Sequence, residues 1–420
     1  MRFLSGAIEG FYGQPWGPAD RLQLFDWLAE WGLNTYLYAP KDDLHHRAVW
    51  REPYAAEEMS GLQHLVEACA ARAVSFAYAI SPGLDIDYSR DGELNHVFGR
   101  FEQLLSIGCS DFALLFDDIP ASPDPRWPSL ATAQCRVANA VFTWLRARRP
   151  DGRFLFCPTA YCGRMATAGL GGQGYLATVG RDLLPGIDVL WTGPDIVSAA
   201  ISVPHVRDVA TVLQRRPVIW DNLHANDYDS RRFFCGPYAG RPIDLRGEVA
   251  GLLSNPNNEL LLNYVPLRTL ARFVHCGGAW DPRQEYLAAM AEWHSAFASV
   301  RTPLTREDLI LFGDCYYLPH EYGPEAEALY RAARGMLAGE APEHARTFHA
   351  LATRLRGACD AIAELRHRPL FHALSRRIWE LRDALDRTER FAAGPSSASS
   401  GAESHRGGLV DRLERLRSSR

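Results

Sequence analysis

Short apolar runs alternate with longer amphipathic segments along the first two-thirds of the chain. The runs are rich in branched and aromatic side chains, and each ends in polar residues or glycine. The segments between them carry apolar residues at helical spacing, as Leu22, Phe25 and Leu28 do. The pattern predicts eight strands, at residues 3–9, 34–39, 74–80, 111–116, 153–157, 188–191, 217–220 and 259–264.

Strands that alternate with helices favour a parallel sheet. Eight such units within roughly 250 residues are typical of a closed (β/α)₈ barrel rather than an open sheet. The runs are apolar throughout, as expected for strands that are buried on both faces. We therefore predict an α/β fold with a (β/α)₈ TIM barrel as the catalytic domain, over residues 1–290.

The pattern changes near residue 305. Thr305 stands three residues before Asp308, which resembles a capping box at the start of a helix. Helical segments follow at about 325–337, 343–365 and 370–391. We predict a C-terminal helical bundle over residues 291–392. Residues 393–420 are predicted to be a disordered, small and polar linker with a short amphipathic tail.

One stripe of leucines in the last predicted helix allows two interpretations. The stripe consists of Leu370, Leu374, Leu381 and Leu385. Such a stripe is most often packed within one chain, but it also serves as a seam between two chains. A homodimer through the helical bundle therefore stays open at this stage.

Composition narrows the class of protein. The chain has 420 residues, of which 47% are hydrophobic and 23% charged, so it can bury a core. Its net charge of −5 excludes a generally basic nucleic-acid binder. The sequence shows no apolar run of about 18 residues and no signal-peptide pattern. The nine cysteines are odd in number and scattered, which indicates reduced thiols. We predict a cytoplasmic protein with no membrane or nucleic-acid partner.

The basic residues are almost all arginine. Lys41 is the only lysine among 45 basic residues, and it follows the second predicted strand. A coding bias toward arginine explains the others but not the lysine that remains. An ammonium group donates in three directions, whereas guanidinium is a planar fork, so a pocket shaped for one does not simply accept the other.

Acids, amides and aromatic side chains collect at the carboxyl ends of the predicted strands, where barrel enzymes have their active sites. Carboxylates and amides hydrogen-bond sugar hydroxyls, and an aromatic face covers the apolar face of a sugar ring. The set predicts a carbohydrate pocket. It includes Glu9, Gly10, Tyr12, Lys41, Asp117, Asp118, Tyr161, Trp191, Asp195, Trp220, Asp221, Asn222, Asp227 and Asn263.

The sharpest feature is the pair Asp117 and Asp118 after the apolar run 112–116. Two carboxylates this close raise each other's proton affinity, which keeps one of them protonated as a general acid. Glycoside cleavage requires such a pair. Because consecutive strand residues point to opposite faces, both can reach the site only if the strand ends or bends there. The alternative is a solvated pair near a helix start.

A metal site is a further alternative. His45, His46, His224, Asp42 and Asp43 could in principle hold a metal ion, as in metal-dependent barrel hydrolases. Those barrels usually carry a His-x-His on an early strand, which is absent here. Cys157 and Cys162 fit no common zinc spacing. The sequence also lacks a serine-nucleophile elbow and a phosphate loop. We expect no metal and no cofactor.

Seven ordered segments resemble glycoside hydrolase family 84, which comprises O-GlcNAcases and bacterial β-N-acetylglucosaminidases. They are residues 9–16, 34–43, 78–85, 112–118, 156–163, 190–194 and 218–229. Residues 315–324 resemble the start of that family's helical stalk. Ala160 departs from the pattern, because an acid is expected there.

The resemblance implies a retaining exo-β-N-acetylglucosaminidase that works through an oxazoline formed by the substrate's own acetamide. Asp117 would orient the acetamide nitrogen, and Asp118 would protonate the leaving oxygen and then activate water. The implied substrate-binding residues are Gly10, Lys41, Tyr161, Trp220, Asn222, Asp227 and Asn263. The substrate would be a GlcNAc-bearing glycan or an O-GlcNAc-modified protein. A catalytically silent glycan-binding protein and a metal-dependent barrel hydrolase remain the alternatives.

Overall fold

Eight parallel strands close into a barrel in the computed structural model, which describes residues 2–90, 92–119 and 129–392. Neighbours in the barrel are neighbours in the chain, and the last strand pairs with the first. The strands are β1 Leu4–Glu9, β2 Thr35–Tyr38, β3 Ser75–Ile80, β4 Asp111–Leu115, β5 Phe154–Cys157, β6 Asp188–Trp191, β7 Val218–Asp221 and β8 Gly251–Ser254. The predicted (β/α)₈ barrel is confirmed.

The strands are apolar on both faces because each face meets a different core. Alternate residues such as Ile8, Leu37 and Leu115 fill the barrel interior, while their neighbours Ala7 and Tyr36 pack toward the surrounding helices. The helices that accompany the barrel are α1 Pro18–Glu30, α2 Ala56–Ala71, α3 Gly92–Ser106, α4 Leu130–Arg148, α5 Gly163–Thr167, α6 Tyr175–Asp182, α7 Val203–Leu213 and α8 Tyr264–His275.

The prediction of the eighth strand at residues 259–264 is wrong. Those residues form a short 3₁₀ helix, Leu260–Asn263, that runs directly into α8. The closing strand is β8, which pairs with β7 on one side and with β1 on the other, where Leu4 stands opposite Gly251. Periodicity cannot distinguish a short apolar strand from a short buried helix. The choice depends on which run can bond to both neighbouring strands.

Five further α-helices follow the barrel within the residues that the structure describes. They are α9 Pro282–Trp293, α10 Arg306–Asp314, α11 Pro324–Leu337, α12 Pro342–Ala363 and α13 Arg368–Ala392. The hydroxyl of Thr305 accepts a hydrogen bond from the backbone N–H of Asp308 at 3.1 Å, so the predicted cap is confirmed. The predicted boundary at residue 290 falls inside α9, and the division into two domains there stays a prediction. The predicted linker and tail at 393–420 lie outside the described residues.

Helix α13, the last of those described, packs within the chain. Leu370, Leu374 and Leu385 of the leucine stripe are buried in the common core. On the same helix, Arg377 donates to Glu259 at 2.5 Å and to the carbonyl of Arg232 at 3.3 Å, which fastens the helical region to the barrel loops. All nine cysteines lie in the described residues and are free thiols. No helix in the described part of the chain is long and apolar enough to cross a membrane.

Candidate active site

A cavity of about 350 Å³ opens at the carboxyl ends of the barrel strands. That volume is in the range of small-ligand sites. Its walls combine acids, amides and aromatic rings, as the sequence predicted. The lining residues are Gly10, Tyr12, Lys41, Asp117, Asp118, Cys157, Tyr161, Thr192, Ile196, Val197, Trp220, Asn222, Ala225, Asp227, Tyr228 and Asn255. Of the catalytic and substrate-binding residues that the family resemblance implies, all except Asn263 line the cavity. Four residues of the wider predicted set do not line it: Glu9, Trp191, Asp195 and Asp221.

Asp117 is buried at the base of this cavity, just beyond the end of β4. Its side chain is 7% exposed, and its Oδ2 accepts a hydrogen bond from the ammonium of Lys41. No described residue donates to Oδ1 of Asp117. Buried carboxylate oxygens are almost always satisfied, so an open acceptor in a cavity wall marks a place for a ligand donor.

Asp118 has a different environment. Its side chain is exposed, and its backbone adopts a left-handed conformation with φ of +50°. This turn is the predicted bend, and it allows consecutive acids to line one cavity. The hydroxyl of Tyr161 donates to Oδ1 of Asp118 at 2.7 Å, and the hydroxyl of Tyr12 donates to Oδ2 at 3.0 Å.

The different environments of the two carboxylates suit them to different chemical roles. Asp117 is fixed, shielded and paired with a cation, which suits a group that stays charged and holds a ligand. Asp118 is reached by solvent, and its carboxylate accepts from two neutral hydroxyls, which suits a group that exchanges a proton. Burial, together with the charge of Asp118, raises the pKa of Tyr161, so its phenol remains a neutral donor.

Lys41, the only lysine, lies inside the cavity and is 5% exposed. Burial favours a lower pKa for its ammonium, but the charges of Asp117 and Asp118 outweigh burial and raise the pKa. The ammonium also lies 5.4 Å from the ring centroid of Trp220. Lys41 is therefore charged, and it connects the buried carboxylate to the aromatic wall.

Gly10 allows the indole of Trp220 to form that wall. A methyl group added to Gly10 would lie 2.4 Å from a ring carbon of Trp220 and 2.9 Å from Ile8. The backbone N–H of Gly10 donates to the side-chain oxygen of Asn255 at 3.2 Å. A side chain at position 10 would occupy the space that the indole fills.

Two asparagines form a hydrogen-bonded pair in the cavity wall beside Gly10. The amide of Asn222 donates to the carbonyl of Ile196 at 2.8 Å, and its oxygen accepts from Asn255 at 2.9 Å. Asp227 lies farther out and accepts from the backbone N–H of Tyr12 at 3.0 Å. These contacts fix both amides and the outer carboxylate before any ligand binds.

Asn263 is not part of the cavity, and its prediction as a substrate-binding residue needs correction. It is fully buried in the 3₁₀ helix, where its oxygen accepts from the backbone N–H of Asn257 at 2.8 Å and its amide donates back to the Asn257 carbonyl at 2.8 Å. The error follows from the misplaced eighth strand. Asn255 directly follows β8, and it lines the cavity at the carboxyl end of that strand. The asparagine-rich segment 255–258 was the feature of the sequence that could have indicated this strand end.

Other candidate residues have structural partners. Glu9 is fully buried and accepts from Arg21 at 2.8 and 2.9 Å, away from the cavity. The rings of His46 and His224 bond backbone carbonyls at 2.9 and 3.0 Å, and His45 faces Glu58 at 3.3 Å. Within residues 2–90, 92–119 and 129–392, no three His, Cys, Asp or Glu side chains are grouped to hold a metal ion.

The closed barrel, with an acidic cavity walled by tryptophan at the carboxyl ends of its strands, is typical of glycoside hydrolases. Comparison with known families agrees with this class. A model described as beta-N-acetylglucosaminidase matches residues 5–312. The chain belongs to this family.

Individual relatives support the same assignment. The chain is similar to Protein O-GlcNAcase of Rattus norvegicus and of Mus musculus, with 48% identity to each over 274 residues. The match covers 64% of this chain and 30% of each relative, so the chain spans less than a third of the length of these curated proteins. It is also similar to the solved structure of a mutant Thermobaculum terrenum O-GlcNAc hydrolase. That match has a TM-score of 0.77 and 27% identity, and it covers 93% of this chain and 82% of the other.

Proposed function

We propose that this chain hydrolyses terminal β-linked N-acetylglucosamine with retention of configuration. The proposal depends on the hydrogen bonding of the Asp117 carboxylate. Lys41 donates to one of its oxygens, and no described residue donates to the other. The N–H of a 2-acetamido group is a donor of the kind this oxygen lacks. A sugar hydroxyl could also donate there, but only the acetamide brings a nucleophilic oxygen close to the anomeric carbon.

The proposed reaction begins when the acetamide oxygen attacks the anomeric carbon and the bond to the leaving oxygen breaks. Asp118 delivers its proton to that oxygen, and Asp117 stabilises the positive charge that develops on the acetamide nitrogen. The product is an oxazoline ring in its protonated form, whose N–H remains hydrogen-bonded to Asp117. Water then attacks the anomeric carbon from the side of the departed group, Asp118 takes its proton, and the bond between the anomeric carbon and the acetamide oxygen breaks, which restores the acetamide. Two inversions give net retention.

The remaining cavity residues fit the parts of one sugar. Tyr161 and Asn222 are proposed to hold the acetamide, Lys41 and Asp227 to bind ring hydroxyls, and Trp220 to cover the apolar face. Asn255, rather than Asn263, is the amide available to complete the set, because it lines the cavity beside Gly10. No metal or cofactor enters this scheme.

The natural substrate is proposed to be an O-GlcNAc-modified protein or another GlcNAc-bearing glycan, by analogy with the names of the rat, mouse and bacterial relatives. GlcNAc release from a serine-linked glycopeptide, measured beside release from a chito-oligosaccharide, distinguishes the two. A cytoplasmic location and a homodimer through the helical bundle remain proposals. Fractionation of cells and the molar mass in solution test them.

The first experiment uses 4-nitrophenyl glycosides of β-GlcNAc, β-GalNAc and β-glucuronic acid. We expect turnover of the GlcNAc substrate; activity on the glucuronide alone would exclude the proposal. Fluorine atoms on the acetamide methyl weaken its oxygen as a nucleophile. Successive fluorination should therefore lower kcat/KM step by step, whereas a carboxylate nucleophile would be almost insensitive to it.

Two variants separate the roles of the acids. Asp118→Asn should retain most activity on a dinitrophenyl glycoside, which leaves without a proton, and lose it on a phenyl glycoside by about 10²–10⁴-fold. Asp117→Asn should slow both substrates to a similar degree. Ligand binding without any turnover by the wild-type chain would favour the glycan-binding alternative. Loss of activity with a chelator, restored by zinc, would favour the metal-dependent one.

A further inference from the structure

Arg47 lies behind the cavity wall and contacts the proposed proton donor from outside the sugar site. It belongs to the loop after β2, is 8% exposed, and is not among the residues that line the cavity. Its two terminal nitrogens have separate acceptors. One donates to the hydroxyl of Tyr12 at 2.6 Å, and the other donates to the backbone carbonyl of Asp118 at 2.6 Å.

The carbonyl contact bears on an unusual piece of backbone. Asp118 has φ of +50°, a conformation that is uncommon for residues with a side chain and that costs energy unless the surroundings stabilise it. Arg47 binds the carbonyl of that same residue. Release of the carbonyl would allow the peptide to rotate toward an ordinary conformation, and the carboxylate would turn away from the cavity with it.

The second contact reaches the carboxylate through a phenol. Tyr12 accepts from Arg47 and donates to Oδ2 of Asp118 at 3.0 Å, and its ring lies 5.6 Å from the guanidinium carbon of Arg47. A phenol has one proton. Because Arg47 occupies a lone pair of the phenol oxygen, the Tyr12 proton is directed to Asp118.

We propose that Arg47 is a positioning residue that holds Asp118 at both ends, at its carbonyl directly and at its carboxylate through Tyr12. The proposal rests on the proposed glycosidase function. Its consequence is specific to proton delivery: loss of Arg47 affects the aglycone's departure, whereas the cavity contacts that bind the sugar remain. A purely structural arginine would instead affect all substrates equally.

The test measures kcat/KM on aryl β-GlcNAc substrates with dinitrophenol, 4-nitrophenol and phenol as leaving groups. Arg47→Lys keeps the charge but cannot make both fork contacts. We expect it to lower turnover of the phenyl glycoside by about 10-fold to 100-fold and to change the dinitrophenyl glycoside by less than about 3-fold. Tyr12→Phe should show the same selectivity with a smaller amplitude, because the carbonyl contact remains.

Arg215→Lys is the matched control. Arg215 also donates to backbone carbonyls, including those of Leu183 at 2.8 Å and Ile187 at 2.9 Å, but it contacts no cavity residue among those described. Its variant should affect no leaving group selectively. An equal loss on all three substrates with Arg47→Lys, or no loss at all, overturns the proposal.

The two levels of failure are distinguishable. If the wild-type chain turns over none of the substrates, the glycosidase function fails and the inference falls with it. If the wild-type chain is active and the leaving-group dependence of Arg47→Lys equals that of the wild type, only the inference fails. Should Arg47→Lys not fold, as judged by circular dichroism, Tyr12→Phe carries the same test, and an unselective effect of that variant overturns the proposal.

Discussion

Lys41 donates a hydrogen bond to Oδ2 of Asp117 inside the cavity, and the two side chains are only 2% and 7% exposed. A buried charge that loses its partner is strongly destabilising. The only lysine of the chain is therefore paired with the carboxylate on which the proposed mechanism depends, and loss of either side chain leaves the other without this partner.

Replacement of Lys41 should reveal this dependence. Lys41→Met should lower the free energy of unfolding by about 3–5 kcal/mol, because Asp117 stays buried without a cation. Lys41→Arg keeps the charge but puts a planar guanidinium in place of the compact ammonium that contacts Asp117 and Trp220, and we expect a higher KM. Arg207→Lys is the control for an exchange between lysine and arginine, because Arg207 forms an ion pair with Glu248 at the surface, away from the cavity. Unchanged kinetics of Lys41→Arg would show that the lysine is incidental.

Gly10→Ala tests the space that Trp220 occupies. The added methyl group would lie 2.4 Å from the indole, so the ring must shift at a cost of about 1–3 kcal/mol. KM for the GlcNAc substrate should rise. Gly61→Ala, in the middle of α2 with nothing within 4 Å, is the control and should stabilise the protein by about 1 kcal/mol. A normal KM for Gly10→Ala would mean that the tryptophan wall does not contact the sugar.

Asn255 and Asn263 offer a direct comparison. Asn255→Ala removes the partner of both the Gly10 N–H and the Asn222 oxygen. We expect a lower kcat/KM from it. Asn263→Ala should lower the free energy of unfolding by about 1–3 kcal/mol, because the side chain is hydrogen-bonded in the core to Asn257 and to the backbone carbonyl of Glu259. KM should stay unchanged, because neither partner lines the cavity. The opposite result would return Asn263 to the site.

His224 predicts a dependence of stability on pH. Burial lowers the pKa of its imidazole to about 4. In the unfolded chain the imidazole is protonated below about pH 6.5, whereas in the folded chain it stays neutral down to about pH 4. The free energy of unfolding therefore falls as the pH decreases from about 6.5 to about 4. Between pH 6.5 and 5 the wild type should lose about 2 kcal/mol more than His224→Gln does.

Urea unfolding at several pH values measures this difference. His64→Gln removes an exposed imidazole instead of a buried one and is the control for the substitution itself. Equal slopes for the wild type and His224→Gln would show that burial does not lower the pKa of this imidazole in the folded chain.

The barrel was predictable because its strands are buried on both faces. Such strands are continuous apolar runs, and those before Glu9, Lys41 and Asp117 are visible without any knowledge of their neighbours. The same runs deliver polar residues to one end of the barrel, so most of the cavity follows from the sequence as well. Asp117 and Asp118 were identifiable for this reason.

Tertiary structure decided what depends on pairing between distant segments. Hydrogen bonds to β1 and β7 decide that Gly251–Ser254, and not residues 259–264, closes the barrel. As a result, the asparagine at the end of the closing strand is Asn255 and not Asn263. Arg47 has no local signal at all, because its acceptors lie 35 and 71 residues away in the chain. The sequence by itself determined the barrel and its acids. Only the folded chain decided which neighbours hold those acids in position, because hydrogen bonds between remote segments leave no periodic trace in a sequence.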